Sequence, residues 1–527
     1  MSGPLDIDLL VSLTDIAELA GKTPSAVSNW RKRYQTFPLP KVESPSGALF
    51  DFREVEKWLV ETDRLDRPIQ PSQVLWNVAN SLRDLWTLDQ ISGFIFAALV
   101  YFEACHRAES PQSDVRMNST LLWKELQWVP EDQFSARLVG AARSIEAENP
   151  SLDSLMSVGF EQYPQPSEKV LLSLMRLLEM EATDEGSRVE LIESLNGWRS
   201  GVNRFLAEQS TPNDLAYLMA NIALKHGRRV FDPAVGSGWL LLMVAVMDDS
   251  TAPNREYIGF DTNEQALREC RSVFFIYNQP ADLRCVNSLR EKSVSEIEAD
   301  VVVLDPPFGV VQWGDASVYQ DPRWLYGPPS PNDSNFAWLQ MALMSLRPGG
   351  VALVDLPLST TFCETKDKWI AQNLLQSGAV VAVVLLPPRM RRNTSVPLAL
   401  WVLRRPEQEM TGNASILVVD ASKLGRPGRE EHQFEEDELL TVAQIVESRL
   451  IDGSSVSNPL ITQVLIPGAA IEEGNLLGAF KRLQQTEAPG VETLRERSRV
   501  LRRTISESFV LADQAIAELI AIAEESS

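Results

Sequence analysis

Histidine and cysteine are scarce in this 527-residue chain. Three histidines (His106, His226 and His432) and four cysteines (Cys105, Cys270, Cys285 and Cys363) are scattered, with no CxxC pair. Cys105 and His106 adjoin but have no partners at ligand spacing, so helix residues are the expectation there and neither a metal site nor a disulfide. No apolar run reaches the roughly 18 residues that would mark a membrane helix. The N-terminus lacks the charged start and apolar core of a secretory signal, so a cytoplasmic protein without a membrane partner is expected. The GxGxxG fingerprint and the Walker lysine are missing too, which leaves phosphate binding poorly supported. Positive charge is short: 49 Lys and Arg against 72 Asp and Glu give a net charge of −23. Such a surface repels a duplex, so contact with nucleic acid needs basic groups gathered on one face or a partner that supplies the grip.

What is present is enough apolar residue, 44%, for sizeable cores, and a length that suits roughly three domains. The most informative stretch is Asp300-Val301-Val302-Val303-Leu304-Asp305-Pro306-Pro307-Phe308-Gly309. Its β-branched run reads as a buried strand. Two prolines then stop the strand and fix an extended turn. A carboxylate, stiff carbonyls and an aromatic ring are left at the carboxyl end of a sheet, where open α/β folds hold ligands. Acceptors beside a flat apolar face suit a planar group with an amino function, such as a nucleobase.

Upstream, Arg229 to Asp232 reads as a strand, Pro233 to Gly238 as a turn and Trp239 to Val246 as an apolar helix. Gly236 and Gly238 allow positive φ and close approach of a ligand. Asp232 stands ready for an amino or hydroxyl donor. Tyr257 to Asp261 is the next strand, and an acid one βα unit beyond a glycine turn is where ribose hydroxyls are held. Adenosine without phosphates fits this pattern, pointing to S-adenosylmethionine.

In this order the three motifs resemble the amino-methylating DNA methyltransferases of the γ arrangement. More narrowly, they resemble the modification subunit of type I restriction–modification systems. Ser210-Thr211-Pro212 matches the segment that opens the family's catalytic domain and helps hold the methionine end of the cofactor. Asn335 to Trp338, Leu346 to Val354, Leu385 to Pro388 and Asn393 to Leu403 match its later segments. The likeness covers about 205–450. It implies a Rossmann-like, SAM-dependent methyltransferase sheet of α/β class. It further implies cofactor contacts from Thr211, Pro212, Asp232, Pro233, Gly236, Gly238, Asp261, Asn287 and Asp305, and catalysis by Asp305, Pro306, Pro307 and Phe308. The chain departs from the type I pattern in four places. Asp305 stands where those subunits usually carry Asn, Asn287 replaces a frequent acid, Trp239 replaces a small residue, and Arg391-Arg392 replace an aromatic.

The N-terminal segment points to DNA separately. Thr14 to Ala20 reads as a short helix and Gly21-Lys22 as a turn; Thr23 caps a second helix that has Pro24 at its first position. The second helix carries Ser28, Asn29, Arg31, Lys32 and Arg33, and a Ser46-Gly47 turn and a helix ending in Trp58-Leu59 follow. This resembles the small winged helix-turn-helix of excisionase and MerR-type regulators, whose second helix enters a major groove. Arg391 and Arg392 are the other DNA-facing candidates, whereas Arg404-Arg405 and Lys481-Arg482 read as solvated charge.

The expected organisation is a winged helix-turn-helix over 1–65, a helical domain over 70–205, the methyltransferase domain over 206–450 and a tail over 451–527. Trp76, Trp86, Trp123 and Trp128 are expected in the helical core. The tail closes with a helix from about Glu492 whose apolar stripe fits a specificity subunit or a second copy of the chain. The expected activity is methyl transfer to the N6 amino group of a flipped-out adenine in DNA, in restriction–modification or phage defence, within a nucleoid-associated bacterial protein. Two alternatives stay open: a catalytically silent DNA-binding regulator or sensor on the same scaffold, and an RNA or protein amide methyltransferase.

Overall fold

Apolar residues of two helices and a small sheet give the first segment a core of its own. The computed structural model describes residues 10–486 except 14–15, 18–19, 21, 45–46, 63, 65–81, 83–84, 111–112, 162–167, 183–185, 189–190, 193, 196–210, 249–254, 320, 364–366, 392–394, 408–414, 429–431, 455–457 and 459–460. These residues fall into two compact units, one over 1–210, 236–242 and 263–285, the other over 211–235, 243–262 and 286–527.

In the first unit, Leu10–Ser12 (β1), Pro40–Ser44 (β2) and Gly47–Asp51 (β3) form an antiparallel sheet in the order β1-β3-β2. Helices Pro24–Arg33 and Phe52–Glu61 accompany it, around a core that includes Val27, Phe37, Phe50 and Trp58. Thr23 caps the first helix by accepting the Ala26 N–H, with Pro24 at the expected position. Asn29, Lys32 and Arg33 are exposed and Ser28 and Arg31 half-buried, so the polar side of this helix stays open. The helix expected over Thr14–Ala20 lies only partly within the described residues.

From 88 to 181 helices dominate, the longest being Leu88–Ala108, Phe134–Glu148 and Glu168–Glu181. Thr87 and Gln90 close a capping box at the start of the first. Trp86 and Trp123 are buried as expected, but Trp128 is 73% exposed. The short helix Trp123–Leu126 ends two residues before it, so the spacing that buries Trp123 and Leu126 no longer applies. Trp76 lies outside the described residues, as does the helix expected from Glu492.

The strands that follow are Arg229–Asp232 (β4), Glu256–Asp261 (β5), Asp282–Cys285 (β6), Ala299–Leu304 (β7), Leu346–Pro357 (β8), Val380–Leu385 (β9), Leu398–Arg404 (β10), Ser415–Asp420 (β11) and Thr462–Pro467 (β12). β6 belongs to the first unit. Within the second unit the neighbours run β12-β11-β9-β10-β8-β7-β4-β5. The pairs β4–β5, β4–β7, β7–β8 and β9–β11 are parallel, while β10 runs antiparallel between β8 and β9. Val301 to Leu304 are fully buried, as a strand covered on both faces requires. Among the described residues no helix is long and apolar enough to cross a membrane.

The cations Arg404 and Arg405 are half-buried and tied to backbone carbonyls rather than free in solvent. The Arg404 guanidinium donates to the Leu450 carbonyl, and Arg405 donates to those of Met344, at 3.2 Å, and Leu346. Orphan carbonyls at the ends of two helices draw these side chains inward.

His226, just past the helix Asn213–Ala223, has its pKa lowered to about 4 by burial first and then by Arg404 and Lys225. Between about pH 4 and 6.5 the unfolded chain therefore binds the proton and the folded chain does not, so stability rises with pH through that window. The linkage is worth on the order of 3 kcal/mol at most. In urea titrations from pH 4 to 7, His226→Gln should flatten this slope; an unaltered slope would show that His226 does not cause it.

Candidate active site

Three carboxylates emerge at one end of three adjacent parallel strands. Asp232 and Asp261 are the last residues of β4 and β5, and Asp305 follows the last residue of β7. β4 lies between β5 and β7. Chain order reverses there, and at such a switch point an open α/β sheet forms its ligand crevice.

Asp232 is 2% exposed and accepts the Ala234 N–H at 3.0 Å. Its carboxyl is held well above the usual carboxylate range, first by burial and then by the charges of Asp305 and Asp261. Asp232 thus lies within reach of the charges of the other two acids. Local turns hold this arrangement. Val235 donates to the Phe260 carbonyl and Val286 to that of Asp261, each at 2.9 Å. Ser288 Oγ donates to the Pro233 carbonyl at 2.6 Å, and Asn287 Oδ1 accepts the Leu289 N–H at 3.1 Å. Asn287 therefore belongs to a turn pinned against Asp232-Pro233. Ser288 does the pinning, and nothing in its sequence neighbourhood marks it for that task.

The chain continues from Val235 into Gly236, at φ +54°, and Gly238, at φ +88°. Within the first unit, a Cβ on Gly238 would run into Cys270 Sγ. Thr211 and Pro212 lead into the helix Asn213–Ala223, which packs against β7 and β8.

Pro306 is buried, Pro307 exposed and Phe308 half-buried. Gly309 donates to Asn335 Oδ1 and Val310 to Ser334 Oγ, both at 3.1 Å, which ties the segment after the motif to the helix Asn335–Ser345.

Arg391, expected on the DNA face, is buried instead, and Arg392 lies outside the described residues. The Arg391 Nη2 pairs with Asp305 Oδ1 and lies 3.3 Å from Asp355 Oδ2. Its guanidinium carbon is 4.7 Å from the Phe308 ring centroid. Asp355, a lone acid within the apolar strand β8, explains the difference. Two buried carboxylates, one just past β7 and one within β8, are stabilised by a cation between them. Burial and then the Asp305 charge push the Asp355 carboxyl well above its usual range, while Arg391 opposes the shift.

Residues 206–459 match the N-6 DNA methylase family model. The chain is also similar to the methylase subunit of the type I restriction enzyme HindI from Haemophilus influenzae. Identity is 25% over 240 residues, 44% of this chain and 54% of the relative. With the MjaIX methylase subunit of Methanocaldococcus jannaschii it is 26% over 231 residues, 41% of this chain and 40% of the relative. The chain thus spans about half the length of these curated relatives. Among solved structures, a type I methyltransferase subunit from Streptococcus thermophilus matches with a TM-score of 0.63 and 21% identity, over 77% of this chain and 97% of that one. A modification subunit of a putative type I restriction enzyme from Vibrio vulnificus matches with a TM-score of 0.56 and 15% identity, over 77% and 95%. At these identities the likeness is one of fold, and it agrees with the mostly parallel sheet. The resemblance to type I methylase subunits read from the motifs is borne out.

Proposed function

We propose that the chain transfers a methyl group from S-adenosylmethionine to the N6 amino group of an adenine in DNA, as the modification component of a restriction–modification or phage-defence system. One observation carries this: Asp305-Pro306-Pro307-Phe308 leaves β7 beside the acids of β4 and β5, at the switch point of a methylase-type sheet.

The acid set fits the cofactor. Asp261 and Asp305 suit a sulfonium cation with its ammonium group and would repel a polyphosphate, while the buried Asp232 would serve as a hydrogen-bond partner for an amino or hydroxyl donor. Asp261 would accept the ribose hydroxyls, Asn287 would meet the adenine ring, and Thr211, Pro212 and the Gly236–Gly238 turn would hold the methionine end. Bound there, S-adenosylmethionine supplies an electrophilic methyl group.

The protein's task is to make a poor nucleophile react. The adenine amino lone pair is delocalised into the ring. Asp305 accepting one N–H and the Pro306 carbonyl the other would draw the nitrogen toward tetrahedral geometry, while Phe308 stacks on the ring. Positioning of this kind supplies several kcal/mol, and the charged acceptor strengthens its hydrogen bond. The N–C bond would form as the S–C bond breaks, leaving a neutral thioether, and the nitrogen would then pass its proton to Asp305 or to solvent. A base in a duplex reaches such a pocket only by leaving the stack.

In this reading residues 1–65 form a winged helix-turn-helix whose Ser28, Asn29, Arg31, Lys32 and Arg33 face the DNA, and the exposure of Asn29, Lys32 and Arg33 supports it. The helical segment over 70–205 precedes the catalytic domain over 206–450. The tail over 451–527 engages a specificity subunit or a second copy, because an excess of acid leaves the lone chain a weak grip on DNA. Sequencing modified bases in the source genome with and without the gene tests the assignment: a motif whose N6-methyladenine disappears with the gene supports it, and identical methylomes count against it.

Asp261→Ala should weaken S-adenosylmethionine binding by about 1–3 kcal/mol, since hydroxyl bonds to a charged acceptor are lost. Calorimetry showing an unchanged dissociation constant would remove Asp261 from the cofactor site. The burial of Asp305 under Arg391 favours a second reading, a DNA-binding regulator on a methylase scaffold, which would bind cofactor without turnover.

A further inference from the structure

Both groups assigned to the target base are already engaged. The Asp305 side chain is 3% exposed, and its Oδ1 is held by Arg391. The ring of Phe308 lies beneath the same guanidinium. A guanidinium is planar, donates N–H bonds and stacks on aromatic faces. It therefore makes with Asp305 and Phe308 the two contacts that an amino-substituted base would make. The second anchor of Arg391 is Asp355, which is fully buried. Among the described residues, Asp355 Oδ1 and Asp305 Oδ2 have no hydrogen-bond partner.

Resting on the function proposed above, we infer that Arg391 is an internal occupant of the target-amino site. Methyl transfer then requires its guanidinium to leave Asp305 and Phe308 while it remains on Asp355. A fixed bracing role for Arg391 would leave Asp305 open toward the base, whereas this carboxylate is closed off. Asp355 makes the movement feasible, since a buried cation without any carboxylate is strongly disfavoured and the free oxygen of Asp355 can take up a second N–H. Arg389, two residues earlier, adopts φ +64°, a strained conformation for a non-glycine residue, and its carbonyl is held by the His432 N–H at 2.8 Å. The turn that carries Arg391 thus holds strain next to the moving group.

Carbodiimide labelling with taurine, read by mass spectrometry of the full-length protein, reports the accessibility of Asp305 without any turnover. The double variant Arg391→Met with Asp355→Leu replaces the ion pair by apolar groups, and Arg391→Gln is the milder change should the double variant not fold. Either should raise labelling of Asp305 several-fold. Assayed with tritium-labelled S-adenosylmethionine and genomic DNA from a methylation-free host, either should lower KM for DNA about tenfold, as expected when the competent state is populated to about 10% or less. Unchanged labelling in a folded variant overturns the inference, as does a loss of kcat as large as that of Asp305→Ala. If labelling rises but no form of the protein, wild type included, methylates DNA, the occlusion stands and the methyltransferase reading falls.

Discussion

Asp305→Ala should abolish methyl transfer, with a fall in kcat of about 10³-fold or more, while S-adenosylmethionine affinity stays within a few-fold. The size follows from the role proposed for the carboxylate, the charged acceptor that would orient the amino nitrogen: loss of one preorganised electrostatic contact costs about 10²–10³ in rate, with misplacement of the reacting atom adding to that. Folding should survive, because Arg391 keeps Asp355 as a partner. Asp305→Asn retains an acceptor without its charge and should lie between the two. Initial rates with labelled cofactor, set beside calorimetric binding, separate these effects. Turnover at the wild-type rate in Asp305→Ala would remove the residue from the mechanism.

Gly238→Val should be the most damaging change in the glycine turn. At φ +88° a β-branched residue is strained by about 1–3 kcal/mol. Its Cβ would also collide with Cys270 Sγ, and overpacking of this kind costs typically 1–3 kcal/mol more. Urea unfolding should show a loss of about 2–6 kcal/mol, with cofactor binding lost because the turn cannot keep its path. Cys270→Ala in the same chain should restore part of the stability, since it removes the obstructing sulfur and leaves the φ strain. Gly236, where an added Cβ meets nothing within 4 Å, should tolerate alanine better. Equal damage at both glycines would show that backbone conformation alone sets the cost.

Why the motifs were legible and their surroundings were not comes down to sequence distance. Asp232, Asp261 and Asp305 each end a β-branched or aromatic run at a turn, so their position at strand ends follows from local rules. That β5, β4 and β7 are neighbours does not, since 44 residues separate Asp261 from Asp305. Arg391 shows the limit most clearly. A cluster of arginines normally marks a solvated face, and only the sheet reveals two buried carboxylates, one just past β7 and one within β8, converging on one of them. Asp355 carried a usable signal, a single acid inside the apolar run Val351 to Leu356. A charge at such a position needs a partner. The anchoring of Arg404 and Arg405 is hidden from the sequence for a related reason, because the carbonyls that accept their N–H bonds lie 46 to 61 residues away. Trp128 failed for a local reason: its helix had already ended.

The most direct measurement is nucleoside analysis of DNA after incubation with S-adenosylmethionine labelled at the methyl group, using full-length protein with any co-purifying subunit retained. Label should appear in N6-methyladenine and vanish with Asp305→Ala. Label in N4-methylcytosine, in RNA or in protein, or cofactor binding by calorimetry with no label transferred to any DNA, would contradict the assignment.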